Sequence, residues 1–312
     1  MLRIMKFCVL FLLIFFAEIS NCLSFDIRQC IQYIQERDEV KSMNCIDEMI
    51  KKSNKDDRLY ALKSAICASH NNQSCAIDSI NKAIEANPKN FYYYVNRATL
   101  YLYTDKYNQV LADLSTAINL DDKKNKIFSG SILAQRAGIY QKLKMYKNAN
   151  IDYFAAMNEF NKVDKKEWDE FNSKNINNKE DMANGLFVDL YGGICICYIE
   201  LKEFSQALNY CQKYEKMAPS NLTAKNNLAS VYIELKKYHE AISTIEKIGN
   251  LSIEADFLLS YNISLANYRL YLETKNSVYM DKFQKYFVYA KKNAKTKEEK
   301  SHVETLSKEL KK

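Results

Sequence analysis

Tyr198-Ile199-Glu200-Leu201-Lys202-Glu203-Phe204 and Tyr232-Ile233-Glu234-Leu235-Lys236-Lys237-Tyr238 are near copies, and they start 34 residues apart. Stepping back by the same interval from Tyr101 reaches Cys67 and then Tyr33. Pro88 and Pro219, the two prolines of the chain, fall at the same place in this period. A fixed period of this size marks a stack of supersecondary units, none of which can bury its apolar face alone.

The period fills column by column. Its eighth place holds Ser64, Ala98, Ala137, Cys195, Ala229 and Ser264; its eleventh holds Cys67, Tyr101, Tyr140, Tyr198 and Tyr232. The twentieth holds Ala76, Val110, Ala149, Ala207 and Ala241, and the twenty-fourth Ile80, Leu114, Tyr153, Cys211 and Ile245. The twenty-seventh holds Ala83, Ala117, Ala156, Tyr214 and Ile248. Small residues at the eighth and twentieth places let two helices approach to about 8–10 Å. Large residues at the eleventh and twenty-fourth are expected to fill the space beside them.

Composition agrees with helices. In 312 residues there are only 6 Gly and 2 Pro, too few turn formers for a multi-stranded sheet fold. A hydrophobic fraction of 47% supports a core. The net charge of +7 comes from dispersed Lys, and the Lys-rich tail from Lys291 to Lys312 also carries Glu298, Glu299, Glu304 and Glu309. That mixture reads as a solvated helical face, so no nucleic-acid partner is expected.

The pattern resembles the tetratricopeptide repeat, a helix-turn-helix unit of 34 residues. The resemblance implies an all-α fold: a right-handed α-solenoid of stacked hairpins whose concave side is lined by the first helix of each unit. Units are placed at about 23–56, 57–90, 91–124, 130–163, 188–221, 222–255 and 257–295, together a solenoid over residues 25–295. Residues 296–312 form a charged C-terminal helix or cap. The last unit keeps Ile263, Ser264, Phe287 and Ala290 with a lengthened turn. Asn125 to Ser129 is a short insertion; 164–187 is a longer one that carries Trp168, read as an extended helix with a loop or as a partner-specific element.

Residues 1–24 read as an export signal. Arg3 and Lys6 precede an unbroken apolar run from Phe7 to Ala17, too short to cross a hydrocarbon core in a helix. Cleavage after Ser24 makes the mature chain exported: periplasmic, in the cell envelope or secreted. A second reading takes Ile19-Ser20-Asn21-Cys22 as a lipoprotein signal with Cys22 lipidated, which tethers the chain to a membrane through its N-terminus; a third leaves the segment as an uncleaved anchor.

No catalytic constellation is present. His70, His239 and His302 are far apart, no Gly-rich phosphate loop occurs, and Gly192-Gly193 sits within a first helix. Neither enzyme activity nor a cofactor is expected. Cys195, Cys197 and Cys211 lack metal-ligand spacing, and Cys195 and Cys211 occupy core columns as small buried thiols, so no metal is expected. Cys67 and Cys75 flank the turn His70-Asn71-Asn72-Gln73 at the facing ends of two antiparallel helices, either as a disulfide or as free thiols. Cys30 and Cys45 are a weaker pair.

The family resemblance implies a protein or peptide partner held in the concave groove. Related repeats grip a peptide backbone with an asparagine ladder, and the sixth place here holds Asn96, Gln135, Asn227 and Asn262. An amide carries both donor and acceptor, so it can pair with a backbone whatever its side chains. Tyr92, Tyr103, Tyr261 and Tyr268 fall on the same inner face, with Thr99 and Ser230 one turn further along. Leu62 and Gly193 interrupt the row. The alternative function is a membrane-tethered structural subunit of an envelope assembly machine.

Overall fold

The computed structural model describes residues 29, 30, 32–34, 36, 38–173 and 182–310. The expected signal segment and Cys22 lie outside them. The described residues contain helices and turns and no strand.

The chain divides into two compact units. The first comprises residues 1–143 with 154–163, the second 144–153 with 164–312. In the first, helical residues near Cys30 precede α1 (Glu39–Lys52). There follow the hairpin α2 (Asp57–Ser69) and α3 (Gln73–Ala86), the hairpin α4 (Phe91–Leu102) and α5 (Tyr107–Leu120), and then α6 (Lys126–Lys142). Helix α7 (Tyr146–Phe160) gives residues to both units. The second unit holds α8 (Lys165–Ser173), the hairpins α9 (Met182–Glu200) with α10 (Phe204–Met217) and α11 (Leu222–Glu234) with α12 (Tyr238–Glu246), and a short helix α13 (Asn250–Ala255). It ends with the hairpin α14 (Phe257–Thr274) and α15 (Ser277–Asn293), and with α16 (Lys297–Glu309).

The scarcity of Gly and Pro is explained by what replaces them. Asn72, Asn90, Asn125, Asn221 and Asn276 each cap a helix N-terminus through the side-chain oxygen, as Asp38, Asp56 and Asp256 do elsewhere. Within the hairpins the fifteenth place takes the left-handed conformation. It is filled by Asn71 (φ 59°), Asp105 (53°), Lys144 (60°), Lys202 (59°) and Lys236 (57°) rather than by glycine. The next amide closes the turn: Lys106 N–H donates to Tyr101 O at 3.1 Å, Glu203 N–H to Tyr198 O at 2.9 Å and Lys237 N–H to Tyr232 O at 2.8 Å.

Every described residue in the eighth, twentieth and twenty-fourth columns is buried. The eleventh column departs from expectation, since Tyr101, Tyr140, Tyr198 and Tyr232 are only half-buried. They edge the hairpins, where Arg97 lies over Tyr101 and Arg136 over Tyr140. Two further columns are buried in every repeat from the second on: the third (Leu59, Tyr93, Ile132, Leu190, Ala224, Leu259) and the tenth (Ile66, Leu100, Ile139, Cys197, Val231, Ala266).

The irregular segments lengthen helices. Residues 125–129 extend α6 by about one turn at its start. The second insertion forms α8, whose Trp168 packs on Phe171 and Phe187, and its end extends α9 back to Met182. The last repeat does not lengthen its turn. Only Lys275 and Asn276 separate α14 from α15, and the helices themselves are longer, at 18 and 17 residues.

A polar ladder joins successive repeats of the first unit. The seventh place is basic there and reaches the twenty-fifth place of the preceding repeat. Lys63 Nζ donates to Asp47 Oδ1 at 2.6 Å, Arg97 Nη1 to Asn81 Oδ1 at 2.8 Å and Arg136 Nη1 to Ser115 Oγ at 3.0 Å. Arg97 also forks onto Asp113, with Nε and Nη2 at 2.9 and 2.7 Å. In the second unit the seventh place is apolar, held by Ile194, Leu228 and Ile263, all buried.

Candidate functional site

The expected groove residues do not share one environment. In the first unit, Tyr92 is not a free platform: its ring stacks on Phe91 at 4.2 Å and meets Phe128 of α6 at 4.7 Å. Thr99 Oγ1 donates to Val95 O at 3.0 Å, within its own helix. Tyr103, at the end of α4, is 53% exposed. Asn96 is half-buried on α4. Gln135, at the matching place of α6, is half-buried with its Nε2 covered and without a hydrogen-bond partner among the described residues. Leu62, where the row is interrupted, is buried and belongs to the core with Ile46, Leu59 and Ile66.

In the second unit, Asn227 repeats the condition of Gln135, half-buried with Nδ2 covered and unpartnered. Ser230 is half-buried one turn along. Gly193 breaks the row for a packing reason, because a Cβ there would overlap the Tyr153 ring. Asn262 is buried and spends its Nδ2 on Asn226 Oδ1 at 2.8 Å, so it bridges two repeats instead of facing a partner. Sequence reasoning passed over Asn226, and the doublet Asn226-Asn227 was the available signal.

Tyr261 and Tyr268 pack against α16. Tyr268 is 6% exposed, sits in a cluster with Phe257, Phe283, Phe287, Ala290 and Leu306, and donates its hydroxyl to Glu309 O at 3.4 Å. Tyr261 is stacked between Phe257 at 5.7 Å and His302 of α16 at 5.6 Å. Burial raises its phenol pKa above the usual value. An Arg269–Glu309 ion pair at 3.0 Å adds to the docking of α16. The charged helix α16 thus covers one face of the last hairpin.

Of the expected amides and hydroxyls on the inner helices, Asn96 and Gln135 in the first unit and Asn227 with Ser230 in the second are half-buried. Two of these amides have a donor without an acceptor. Buried amide donors are almost always paired, because an unpaired one costs about 1–3 kcal/mol. Such a donor is relieved by turning toward an incoming carbonyl.

The cysteines are placed as follows. Cys67 and Cys75 lie at bonding distance with Cα atoms 5.7 Å apart, and Cys30 and Cys45 likewise with Cα atoms 5.6 Å apart. Cys195 and Cys211, expected as two separate thiols, also sit at bonding distance, Cα to Cα 4.9 Å. The missed signal was that the eighth and twenty-fourth places face each other across a hairpin. Cys197 is a buried free thiol. Among the described residues no group of three or more His, Cys, Asp and Glu could hold a metal ion.

The sequence profile of the ChAPs family (Chs5p-Arf1p-binding proteins) matches residues 27–191, and that of the tetratricopeptide repeat matches residues 222–248. Among solved structures, the C-terminal part of a TPR repeat-containing protein from Cytophaga hutchinsonii superposes with a TM-score of 0.54 at 18% identity, covering 74% of this chain and 79% of that one. YrrB, described as a TPR protein with an unusual peptide-binding site, superposes with a TM-score of 0.52 at 17% identity, covering 74% and 100%. A tetratricopeptide repeat protein from Parabacteroides merdae covers 89% of this chain and 96% of its own, at 18% identity and a TM-score of 0.49. No curated protein sequence matches the chain.

Proposed function

Since the chain belongs to the ChAPs family, whose profile spans more than half of it, and folds as tetratricopeptide repeats, we propose that it is an exported interaction module that holds an extended peptide or a partner protein against its inner helices. The observation that carries this reading is the pair of orphan amide donors. Gln135 Nε2 and Asn227 Nδ2 occupy the same place of the repeat, one in each compact unit, and neither has an acceptor among the described residues. A peptide backbone supplies carbonyls independently of its sequence, which is what a side-chain amide can read. Tyr103 adds flat apolar area with little conformational entropy to lose. The repeats act as a scaffold, with no catalytic role assigned to any residue.

Export is supported by the charged start and short apolar run of residues 1–24. It is also supported by three cysteine pairs at bonding distance, since disulfides persist in oxidising compartments.

The test is crosslinking in intact cells, with the linked positions read by mass spectrometry. Crosslinks are expected on α4, α6 and α11. Once the partner is in hand, calorimetry should show that Asn96→Ala with Asn227→Ala costs about 1–3 kcal/mol of affinity, because partner groups are left unpaired. The melting curve should hardly move, since neither residue lies in a core column. Crosslinks confined to the second helices of the hairpins, or unchanged affinity in a folded double variant, would overturn the groove assignment.

A further inference from the structure

We propose that Cys30–Cys45, Cys67–Cys75 and Cys195–Cys211 are disulfides in the mature protein, each closing the two helices of one repeat onto themselves, with Cys197 kept out of the pairing. The Cα spacing is consistent across all three. The Cα separations of 5.6, 5.7 and 4.9 Å lie within the window that a disulfide spans without backbone movement, about 4.4–6.8 Å. Each pair joins the first helix of a hairpin to the second helix of the same hairpin. Cys30 and Cys195 both occupy the eighth place of their repeats, the column that elsewhere holds Ala or Ser, so sulfur fits there without displacing a larger side chain. Their partners Cys45 and Cys211 stand at the twenty-third and twenty-fourth places, on the helix face opposite. The same arrangement therefore occurs independently in both compact units. Cys67 and Cys75 instead flank the hairpin turn, eight residues apart.

Cys197 is only two residues from Cys195, and its exclusion has a structural reason. It occupies the tenth place, one of the two further buried columns, and it is fully buried there. Neighbours two apart on a helix face different sides, so Cys197 cannot reach Cys211 while α9 stays helical. Burial also pushes its thiol up to about 12, which keeps it protonated and unreactive toward a nearby disulfide.

The chemistry balances by exchange. Each pair gives up two protons and two electrons to an external disulfide, either oxidised glutathione or a disulfide oxidoreductase. One S–S bond forms in the chain, and the external disulfide leaves as two thiols. Because all three closures are local, no bond links one repeat to another, and reduction should loosen single hairpins without unstitching the stack.

The test uses the full chain, unfolded and reduced, then refolded in a mixture of oxidised and reduced glutathione. It does not depend on export, so failure of that reading would leave the result standing. Alkylation in denaturant without reductant, followed by trypsin and mass spectrometry, reads the connectivity. Expected are linked peptides joining Cys30 to Cys45 and Cys195 to Cys211, a peptide Ser64–Lys82 lighter by two hydrogens and free of alkyl groups, and alkylated Cys197. In a Cys195→Ser variant Cys211 should be alkylated, not relinked to Cys197. Alkylation of either Cys195 or Cys211 in the refolded wild type, a Cys197–Cys211 link, or bonds crossing between repeats would each overturn the proposal. The wild-type connectivity decides the matter even where the serine variant does not fold.

Discussion

Replacing Arg97 by Met removes the cation at the centre of the polar ladder in the first unit. Arg97 forks onto Asp113 with hydrogen bonds of 2.9 and 2.7 Å, and its remaining arm reaches Asn81 of the preceding repeat at 2.8 Å. Asp113 is 4% exposed, so the change strands a carboxylate inside the protein. Removing one partner of a buried pair costs about 3–5 kcal/mol. Arg97 keeps 23% of its side chain exposed, which lets water reach part of the site and lowers the expectation to about 2–4 kcal/mol. In a unit of this size that shifts the melting temperature by roughly 5–12 °C.

The assay is a double-mutant cycle followed by circular dichroism and calorimetry. Asp113→Leu alone leaves Arg97 with its Asn81 bond and the rings of Tyr94 and Tyr101 at 5.7 and 6.0 Å, so it should cost less than Arg97→Met. Arg97→Met with Asp113→Leu should recover most of the loss, because an apolar pair of similar volume is often as stable as the ion pair it replaces. Arg97→Lys should lie between, since an ammonium cannot fork. A cost for Arg97→Met under about 0.5 kcal/mol, in the range of an exposed pair, would refute the argument that this contact is buried and structural.

Two further outcomes follow from local geometry. Lys202→Gly and Lys236→Gly relieve left-handed backbone at φ 59° and 57°, and each should gain about 0.5–1 kcal/mol after the entropy that glycine loses on folding, read as a raised melting temperature. In α16, the Thr296 and Lys295 amides donate to Glu299 at 2.8 and 2.7 Å and hold its carboxyl below the ordinary 4.5. The folded pKa is depressed, so this cap contributes fully above 4.5 and is lost as pH falls below it. Amide chemical shifts of α16 should report fraying in that acid range, and the same fraying in Glu299→Gln at neutral pH; an acid response unchanged in that variant would assign the effect to another group.

What the sequence made legible was whatever recurs in every repeat. The eighth, twentieth and twenty-fourth columns stood out because each must hold a small or apolar side chain in all units, and all proved buried. The third and tenth columns were missed because they mix Leu, Ile, Val, Ala, Tyr and Cys, and mixed sizes hide a column that is uniform only in burial. The Arg97 ladder was hidden for a different reason: its donors and acceptors stand 16 to 21 residues apart in adjoining repeats, so neither column looks special until both are compared.

The inner face was the least legible part, because repeat columns describe a repeat flanked by other repeats, and α16 packs on the last one here. Tyr261, Asn262 and Tyr268 occupy places that face outward in a repeat with no neighbour. Here α16 takes the place of a neighbour: it stacks His302 on Tyr261, brings Leu306 into the cluster around Tyr268 and pairs Glu309 with Arg269. Asn262 is removed by a second route, its bond to Asn226. The same sixth place thus does three kinds of work. It packs where Leu62 and Gly193 stand, joins repeats at Asn262, and leaves an amide donor unsatisfied at Gln135 and Asn227. Only the last kind has a use for a ligand carbonyl, and so the amides proposed to meet a partner are those two and the half-buried Asn96.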